Sequence, residues 1–379
     1  MSDFGFLDEG GAEGSSAEIE AGLQPPRAST MMCGHDDVEQ KLLSDYRSGR
    51  LPHAMVFSGP EGIGKATMAF RFARFLLAGA EETNEISMFG EADAPSTNLH
   101  IPEGHPVTRR ITAHGHADLL TIERQFDEKK GRMKGDLNVD EVRKIEPFIR
   151  KTAAEGGWRI VLVDNAEHLN RSAQNAILKI LEEPPKKTLL ILVTCQPGAF
   201  LPTIRSRCRF YNFQPLPEDT VIDLMQKHDT QIPMDELKIL ARLSSGSIGY
   251  AMRLYQEGGV ELYRELIGHI QTFPKIDMVK THALAEKLGR AGNEQAYQTS
   301  MELLIQWLEW VIRVDCKDEA FTPIMEGEME LVEKLRSHFG GRGLLRIWDQ
   351  ITEVYHQTLR ANLDRRQVIL SSMLRLSGK

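Results

Sequence analysis

The chain has 379 residues, with 46 Lys and Arg against 54 Asp and Glu, so its formal net charge is −8. At about 100–200 residues per domain this length predicts two or three domains, and a composition 41% hydrophobic and 26% charged can bury real cores. No apolar run approaches the ~20 residues of a membrane-spanning helix, the opening Met1-Ser2-Asp3-Phe4-Gly5 has neither region of a secretory signal, and four scattered cysteines (Cys33, Cys195, Cys208, Cys316) exclude a disulfide framework and suit a reducing cytoplasm.

Residues 1–30 read as a disordered acidic tail. They hold six acids (Asp3, Asp8, Glu9, Glu13, Glu18, Glu20) and one base, Arg27, among many Gly, Ser and Ala. Such a segment buries too little apolar surface to offset its ordering entropy. It carries −5 of the net −8, leaving −3 for residues 31–379, so net charge neither requires nor forbids a nucleic-acid partner.

From 31 to 213 short apolar runs alternate with helical stretches. The runs Ala54–Ser58, Leu119–Ile122, Ile160–Val163 and Leu189–Val193 are continuous, as strands covered on both faces are. Helices are predicted over Lys65–Ala78, Val139–Thr152 and Ser172–Leu181, the second with a capping box of Asn138 and Glu141. This is the pattern of an α/β domain with a parallel sheet. It is interrupted over 80–117, where 81–97 is acidic and rich in small residues and reads as a surface loop. Pro215 and Pro217 mark a hinge. Short helices follow over Thr220–Met225, Met234–Leu243 and Tyr250–Tyr255, and longer amphipathic ones from about 278, where Trp307 and Trp310 read as core or interface residues.

The stretch Gly59-Pro60-Glu61-Gly62-Ile63-Gly64-Lys65-Ala66-Thr67 stands between a strand and a helix. A loop of this kind, a P-loop, closes backbone N–H groups around a phosphate, with Gly59, Gly62 and Gly64 allowing the close approach and Lys65 reaching the outer phosphates. The pattern then needs a hydroxyl directly after the lysine to hold Mg²⁺, and Ala66 stands there. Thr67 lies about 100° further round the helix. The strand Arg159–Val163 ends in Asp164, placed to help hold Mg²⁺ as a Walker-B acid. The next residue, where a water-orienting glutamate is common, is Asn165.

The run Ala173-Gln174-Asn175-Ala176-Ile177-Leu178-Lys179-Ile180-Leu181-Glu182-Glu183-Pro184-Pro185 leads through the strand ending at Thr194 to Leu201-Pro202-Thr203-Ile204-Arg205-Ser206-Arg207-Cys208. With the P-loop, it resembles the clamp-loader branch of the AAA+ P-loop ATPases. The stretches "GHDDVEQKLLSDYRSGRLPHAMVFSGPEGIGKAT", "AAEGGWRIVLVDNAEHLN" and "ANLDRRQVILSSMLRL" narrow the resemblance to the bacterial delta-prime family of DNA polymerase III, over about 31–376.

The resemblance implies three domains: an AAA+ P-loop domain over 31–213, a helical lid over 214–272 and a helical collar over 273–379. It implies a place in the pentameric loader that sets a sliding clamp on primer–template DNA, within the DNA polymerase (nucleotidyltransferase) holoenzyme of the cytoplasm. The partners implied are gamma/tau and delta subunits, with clamp and DNA met through the assembly and no membrane. Arg207, flanked by Ser206 and Cys208, would act in trans on a neighbour's ATP site. From spacing alone the other reading stays open, that Arg207 is one of several basic residues solvating a loop.

Gly59, Gly62, Gly64, Lys65, Thr67, Asp164 and the sensor residue Thr194 would form a degenerate nucleotide site. Ala66, Asn165 and Gly249, where active relatives commonly carry arginine, are departures that imply a pseudo-ATPase requiring no nucleotide of its own, with ATP or ADP binding in doubt. Many relatives insert a four-cysteine zinc module after the P-loop helix. Here 80–117 has no cysteine but has His100, His105, His114 and His116, without tight paired spacing, so no zinc is expected. A rival reading is an active AAA+ ATPase in which Lys65 and Asp164 suffice and Thr67 supplies the hydroxyl. A gamma/tau-like motor is disfavoured by Ala66 and Asn165.

Overall fold

In the computed structural model the described residues are 24–79, 97–124, 126–127, 132–133, 137, 139–155, 157–317, 322–361 and 363–378. The chain forms two compact units, one of residues up to Thr230 with Ser245–Met252, the other of Gln231–Ser244 with Arg253–Lys379. The stretch read as the lid, 214–272, contributes to both.

The first unit is built on a parallel sheet of β1 (Ala54–Ser58), β2 (Leu119–Ile122), β3 (Arg159–Val163), β4 (Thr188–Thr194) and β5 (Arg209–Asn212), in the order β2-β3-β4-β1-β5. Every residue of β1, β3 and β4 is buried, which is why they read as unbroken apolar runs. The two-residue period of the strand divides them between two cores. Met55, Phe57, Ile160, Leu162, Leu189, Ile191 and Val193 face one side. Ala54, Val56, Val161, Val163, Leu190 and Leu192 face the other.

The first core is closed by α1 (Asp36–Arg47), α2 (Lys65–Leu77) and α3 (Pro106–Thr112). The second is closed by α4 (Val139–Arg143), α5 (Ile145–Ile149) and α6 (Arg171–Glu182). The helix expected over Val139–Thr152 is thus two short ones, and Asn138 of its capping box lies outside the described residues. For α6 the cap is Asn170, whose side chain accepts from the Ala173 N–H. The fifth strand, β5, has no counterpart in the sequence reading.

Residues 24–30 correct the expected tail; 1–23 lie outside the described residues. Composition there is dominated by acids further upstream, which hides one buried cation. Arg27 is 5% exposed. Its Nη1 donates to His114 Nδ1 at 2.9 Å, its Nη2 lies 3.8 Å from Glu123, and its carbonyl accepts from Arg74 at 2.8 Å. Thr30 donates to Glu103, and the Thr30 carbonyl accepts from Arg71. The segment is a strap tied across α2 and α3.

The second unit is helical. It contains α9 (Met234–Leu243), α11 (Gly259–Ile270), α12 (Met278–Gly289), α13 (Glu294–Lys317), α14 (Glu328–Ala361) and α15 (Arg365–Leu376). Two further helices bear on the first unit: α8 (Glu218–His228), which lies within it, and α10 (Ile248–Gln256), whose first five residues belong to it. Gly340, at φ 61° and ψ 171°, interrupts α14. Trp307 is fully buried and Trp310 half-buried. Glu302 ties the helices together, accepting from Arg253 at 2.7 Å and from Tyr355 at 3.2 Å. Among the described residues no helix is long and apolar enough to cross a membrane.

Arg27→Ala should cost about 3 kcal/mol at pH 7 by chemical denaturation, the lower end for stranding the partner of a buried ion pair. Burial raises the Glu123 carboxyl and Arg27 opposes it. Without Arg27 the carboxyl rises further, so Glu123 takes up a proton more readily as pH falls and its cost fades. Burial and the Arg27 cation push the His114 imidazole down, so its contribution to the wild type also falls as pH drops. The gap between variant and wild type should therefore narrow from pH 7 to pH 5.

Candidate nucleotide site and arginine loop

The parallel register brings the carboxyl ends of four strands to one edge. Ser58 stands opposite Thr194 on one side and Asn212 on the other, and Ser58 Oγ donates to Asn212 Oδ1 at 2.6 Å. Asp164 follows β3, its N–H donating to the Ile122 carbonyl at 2.9 Å. Gly59, Asp164 and Thr194 thus converge where β1 parts from β4, the point at which open α/β sheets bind ligands.

All three P-loop glycines have positive φ, 154° at Gly59, 70° at Gly62 and 101° at Gly64. Each is also pressed by its own chain. A Cβ on Gly59 would stand 2.5 Å from the Phe213 carbonyl, one on Gly62 2.5 Å from Ser247 Oγ, and one on Gly64 3.1 Å from the Met32 methyl. The loop is pinned from the side by the segment that starts α10. The Gly249 N–H donates to the Gly62 carbonyl at 2.9 Å, and Ser247 Oγ donates to the Glu61 carbonyl at 2.8 Å. His35, buried and in the left-handed region, holds it from below through Nε2 to the Ile63 carbonyl at 2.8 Å, with its ring edge-on to Phe213. Burial lowers the His35 imidazole, which keeps it neutral with Nε2 as donor.

Lys65 is 6% exposed, and its Nζ turns back to donate to the Pro60 carbonyl. Burial pushes its ammonium below the ordinary lysine range, while Cys195, Asp164, Glu167 and Glu61 act in the opposite sense. Cys195 donates through Sγ to Glu167 Oε1 at 2.9 Å, and burial followed by that bond pushes its thiol up to about 12. Glu167 Oε2 is buried with no hydrogen-bond partner. Thr194 is 1% exposed, and its hydroxyl accepts from the Gln196 N–H. Asp164 Oδ1 accepts from the Asn165 N–H at 2.9 Å, with Asn165 at φ 50°.

The expected residues Gly59, Gly62, Gly64, Lys65, Asp164 and Thr194 thus come together, with Thr67 half-buried in the first turn of α2. Sequence reasoning missed His35, Met32, Glu167 and Cys195, which distant segments deliver. As a fit to Mg²⁺–nucleotide the set falls short. Ala66 and Asn165 offer no metal hydroxyl and no second carboxylate, and backbone fills the place of a Gly249 side chain. The charges facing Lys65 include the unpartnered Glu167 oxygen, which would repel a phosphate.

The expected arginine lies on a separate loop. The short α7 (Pro202–Arg205) ends in Ser206, whose Oγ donates to the Thr203 carbonyl at 3.1 Å. Ile204 is fully buried, and Cys208 packs against the second core, its thiol pushed up to about 12 by burial. Between these anchors Arg207 points outward. Its Nη1 donates to the Thr203 carbonyl and its Nη2 to Glu182 Oε1, both at 3.1 Å. Arg209 differs: it pairs with Asp45 at 2.9 Å and lies over the Tyr211 ring, whose hydroxyl also binds Asp45.

The histidines of 80–117 are engaged individually. His105 Nδ1 accepts from the Val107 N–H, His116 Nδ1 from the Asp118 N–H, and His114 from Arg27, while His100 is exposed. Among the described residues no group of three or more His, Cys, Asp or Glu could hold a metal ion. Residues 80–96 of that stretch lie outside them.

This strand order, with a P-loop after β1 and an acid after β3, defines a P-loop module of the AAA+ type. The family described as "DNA polymerase III, delta subunit" matches residues 34–217. DNA polymerase III subunit delta' of Escherichia coli is 31% identical over 57% of this chain and 58% of its own length. The subunit of the same name from Pseudomonas aeruginosa is 27% identical over 86% of this chain and 92% of its own. Among solved structures, a DNA polymerase III gamma subunit-related protein of Thermotoga maritima is 17% identical, covering 90% of this chain and 99% of that one, with a TM-score of 0.38. Over residues 34–217 the chain matches that family, and it is similar to the subunits named delta' of DNA polymerase III.

Gly62→Ala tests the pinning of the loop. A side chain at positive φ that also collides with Ser247 should lower stability by about 1–3 kcal/mol in chemical denaturation. A change under 0.5 kcal/mol would mean that the 246–249 segment moves aside freely.

Proposed function

We propose that this chain completes a clamp-loader ring with gamma/tau and delta subunits and takes part in placing the sliding clamp on primed DNA. Its contribution is Arg207, lent to the ATP site of a neighbouring gamma/tau subunit. The observation that carries this reading is the arginine loop. Buried Ile204 and partly buried Cys208 anchor an outward-pointing guanidinium just before the edge strand of the sheet, while Lys65 of the chain's own P-loop is buried with its Nζ on the Pro60 carbonyl.

A trans guanidinium stabilises charge that develops on a γ-phosphate. Arginine suits this because it stays charged and presents a planar fork of donors. Within this chain Lys65 is turned back onto the Pro60 carbonyl, Ala66 offers no hydroxyl to a metal, and Asn165 cannot orient a water as a carboxylate does. The chain is therefore read as a member that hydrolyses no ATP and requires no cofactor, its fold serving to position Arg207. Contact with clamp and DNA would be made through the assembled ring.

The test is reconstitution with single variants. The isolated chain should show no Mg²⁺-dependent ATP turnover above background. A loader carrying Arg207→Ala should assemble but load clamps at least tenfold more slowly, while Arg205→Ala loads as wild type. Arg205 is the appropriate control, because Arg209→Ala would also break the Asp45 pair. Equal loading by Arg207→Ala and wild type, or steady hydrolysis by the isolated chain abolished in Lys65→Ala, would sink this reading.

A further inference from the structure

Resting on the reading of Arg207 as a trans residue, we infer that Glu182 is its resting partner, a carboxylate that competes with the neighbour's γ-phosphate for the same guanidinium. Glu182 is the last residue of α6. A carboxylate at a helix C-terminus faces the negative end of the helix dipole, a position that favours cations. Arg207 Nη2 answers that charge at 3.1 Å, while Nη1 holds the Thr203 carbonyl. Both Nη groups of the fork are thus used within the chain. A bidentate grip on phosphate oxygens needs the fork free, so engagement of a neighbour requires Glu182 to let go.

The exchange is cheap because the pair is open to solvent. The Arg207 and Glu182 side chains are 38% and 54% exposed, and pairs of that exposure contribute little to stability. A γ-phosphate in a closed subunit interface carries more charge in a drier place and takes the guanidinium. A diphosphate lacks the competing group, and the arginine returns to Glu182. The carboxylate thereby makes engagement of Arg207 depend on the triphosphate. Arg205, two residues away, has no such partner among the described residues, and Arg209 has its own in Asp45.

The experiment measures the affinity of the full-length chain for an isolated gamma/tau subunit by titration calorimetry, without nucleotide and with a non-hydrolysable ATP analogue. Glu182→Gln keeps the shape and removes the charge. It should tighten the analogue-bound complex about two- to five-fold, the upper part of the range for exposed pairs, and leave the nucleotide-free affinity unchanged. In an Arg207→Ala background the same substitution should do nothing. If Arg207→Ala alone leaves the analogue-dependent affinity intact, the trans reading itself fails. If Arg207→Ala weakens it but Glu182→Gln loosens binding, leaves it unchanged, acts equally without nucleotide, or acts in the Arg207→Ala background, the competition is overturned and the trans reading stands.

Discussion

The close approach of residues 246–249 to the P-loop is the constraint on which the rest of the first unit's active edge depends. The Gly249 N–H reaches the Gly62 carbonyl, and a Cβ on Gly249 would lie 3.0 Å from the Gly62 Cα. Two backbones occupy the space that a side chain would need. The glycine at 249 is thus fixed by the contact it makes, and a long basic side chain there would have to push the loop away. With Ser247 bonded to Glu61 and His35 bonded to Ile63, the loop is tied on three sides by its own chain.

Electrostatics follows from that closure. Lys65 is buried with its Nζ on the Pro60 carbonyl, and Asp164, Glu167 and Glu61 act on its ammonium from within the chain. The arginine loop has the opposite character. Its apolar residues are sunk in the second core while its guanidinium stays in water, held by one exposed carboxylate and one carbonyl. The same sheet therefore carries an inward-turned cation after β1 and an outward-turned one just before β5. A subunit that serves a neighbour needs the second and can dispense with metal chemistry at the first.

Much of the first unit was legible in the sequence because its strands are buried on both faces. Ala54–Ser58, Ile160–Val163 and Leu189–Val193 announce themselves as apolar runs, and the glycines and Lys65 announce the turn between β1 and α2. β5 was not legible: as an edge strand it exposes Arg209 and Asn212, and its mixed polarity looks like a basic loop. The helix Gly259–Ile270 was obscured by the two glycines at its start. Arg27 was masked by the acids before it, since composition averages over a window and one buried cation does not move the average. At the site, Lys65, Asp164 and Thr194 lie in motifs of fixed spacing, whereas Glu167, Cys195, Ser247 and the Glu182–Arg207 pair are juxtaposed by the fold across gaps that no local pattern spans.

The central claim is that the chain acts through its outward arginine and not through its own P-loop. The most direct measurement compares the clamp-loading rate of reconstituted loaders carrying Lys65→Met or Arg207→Lys in this subunit. Met fills the lysine's volume without its charge, and lysine keeps the charge at 207 without the planar fork. The account predicts that Lys65→Met loads close to the wild-type rate while Arg207→Lys is slowed at least tenfold. Loading abolished by Lys65→Met and preserved by Arg207→Lys would contradict it.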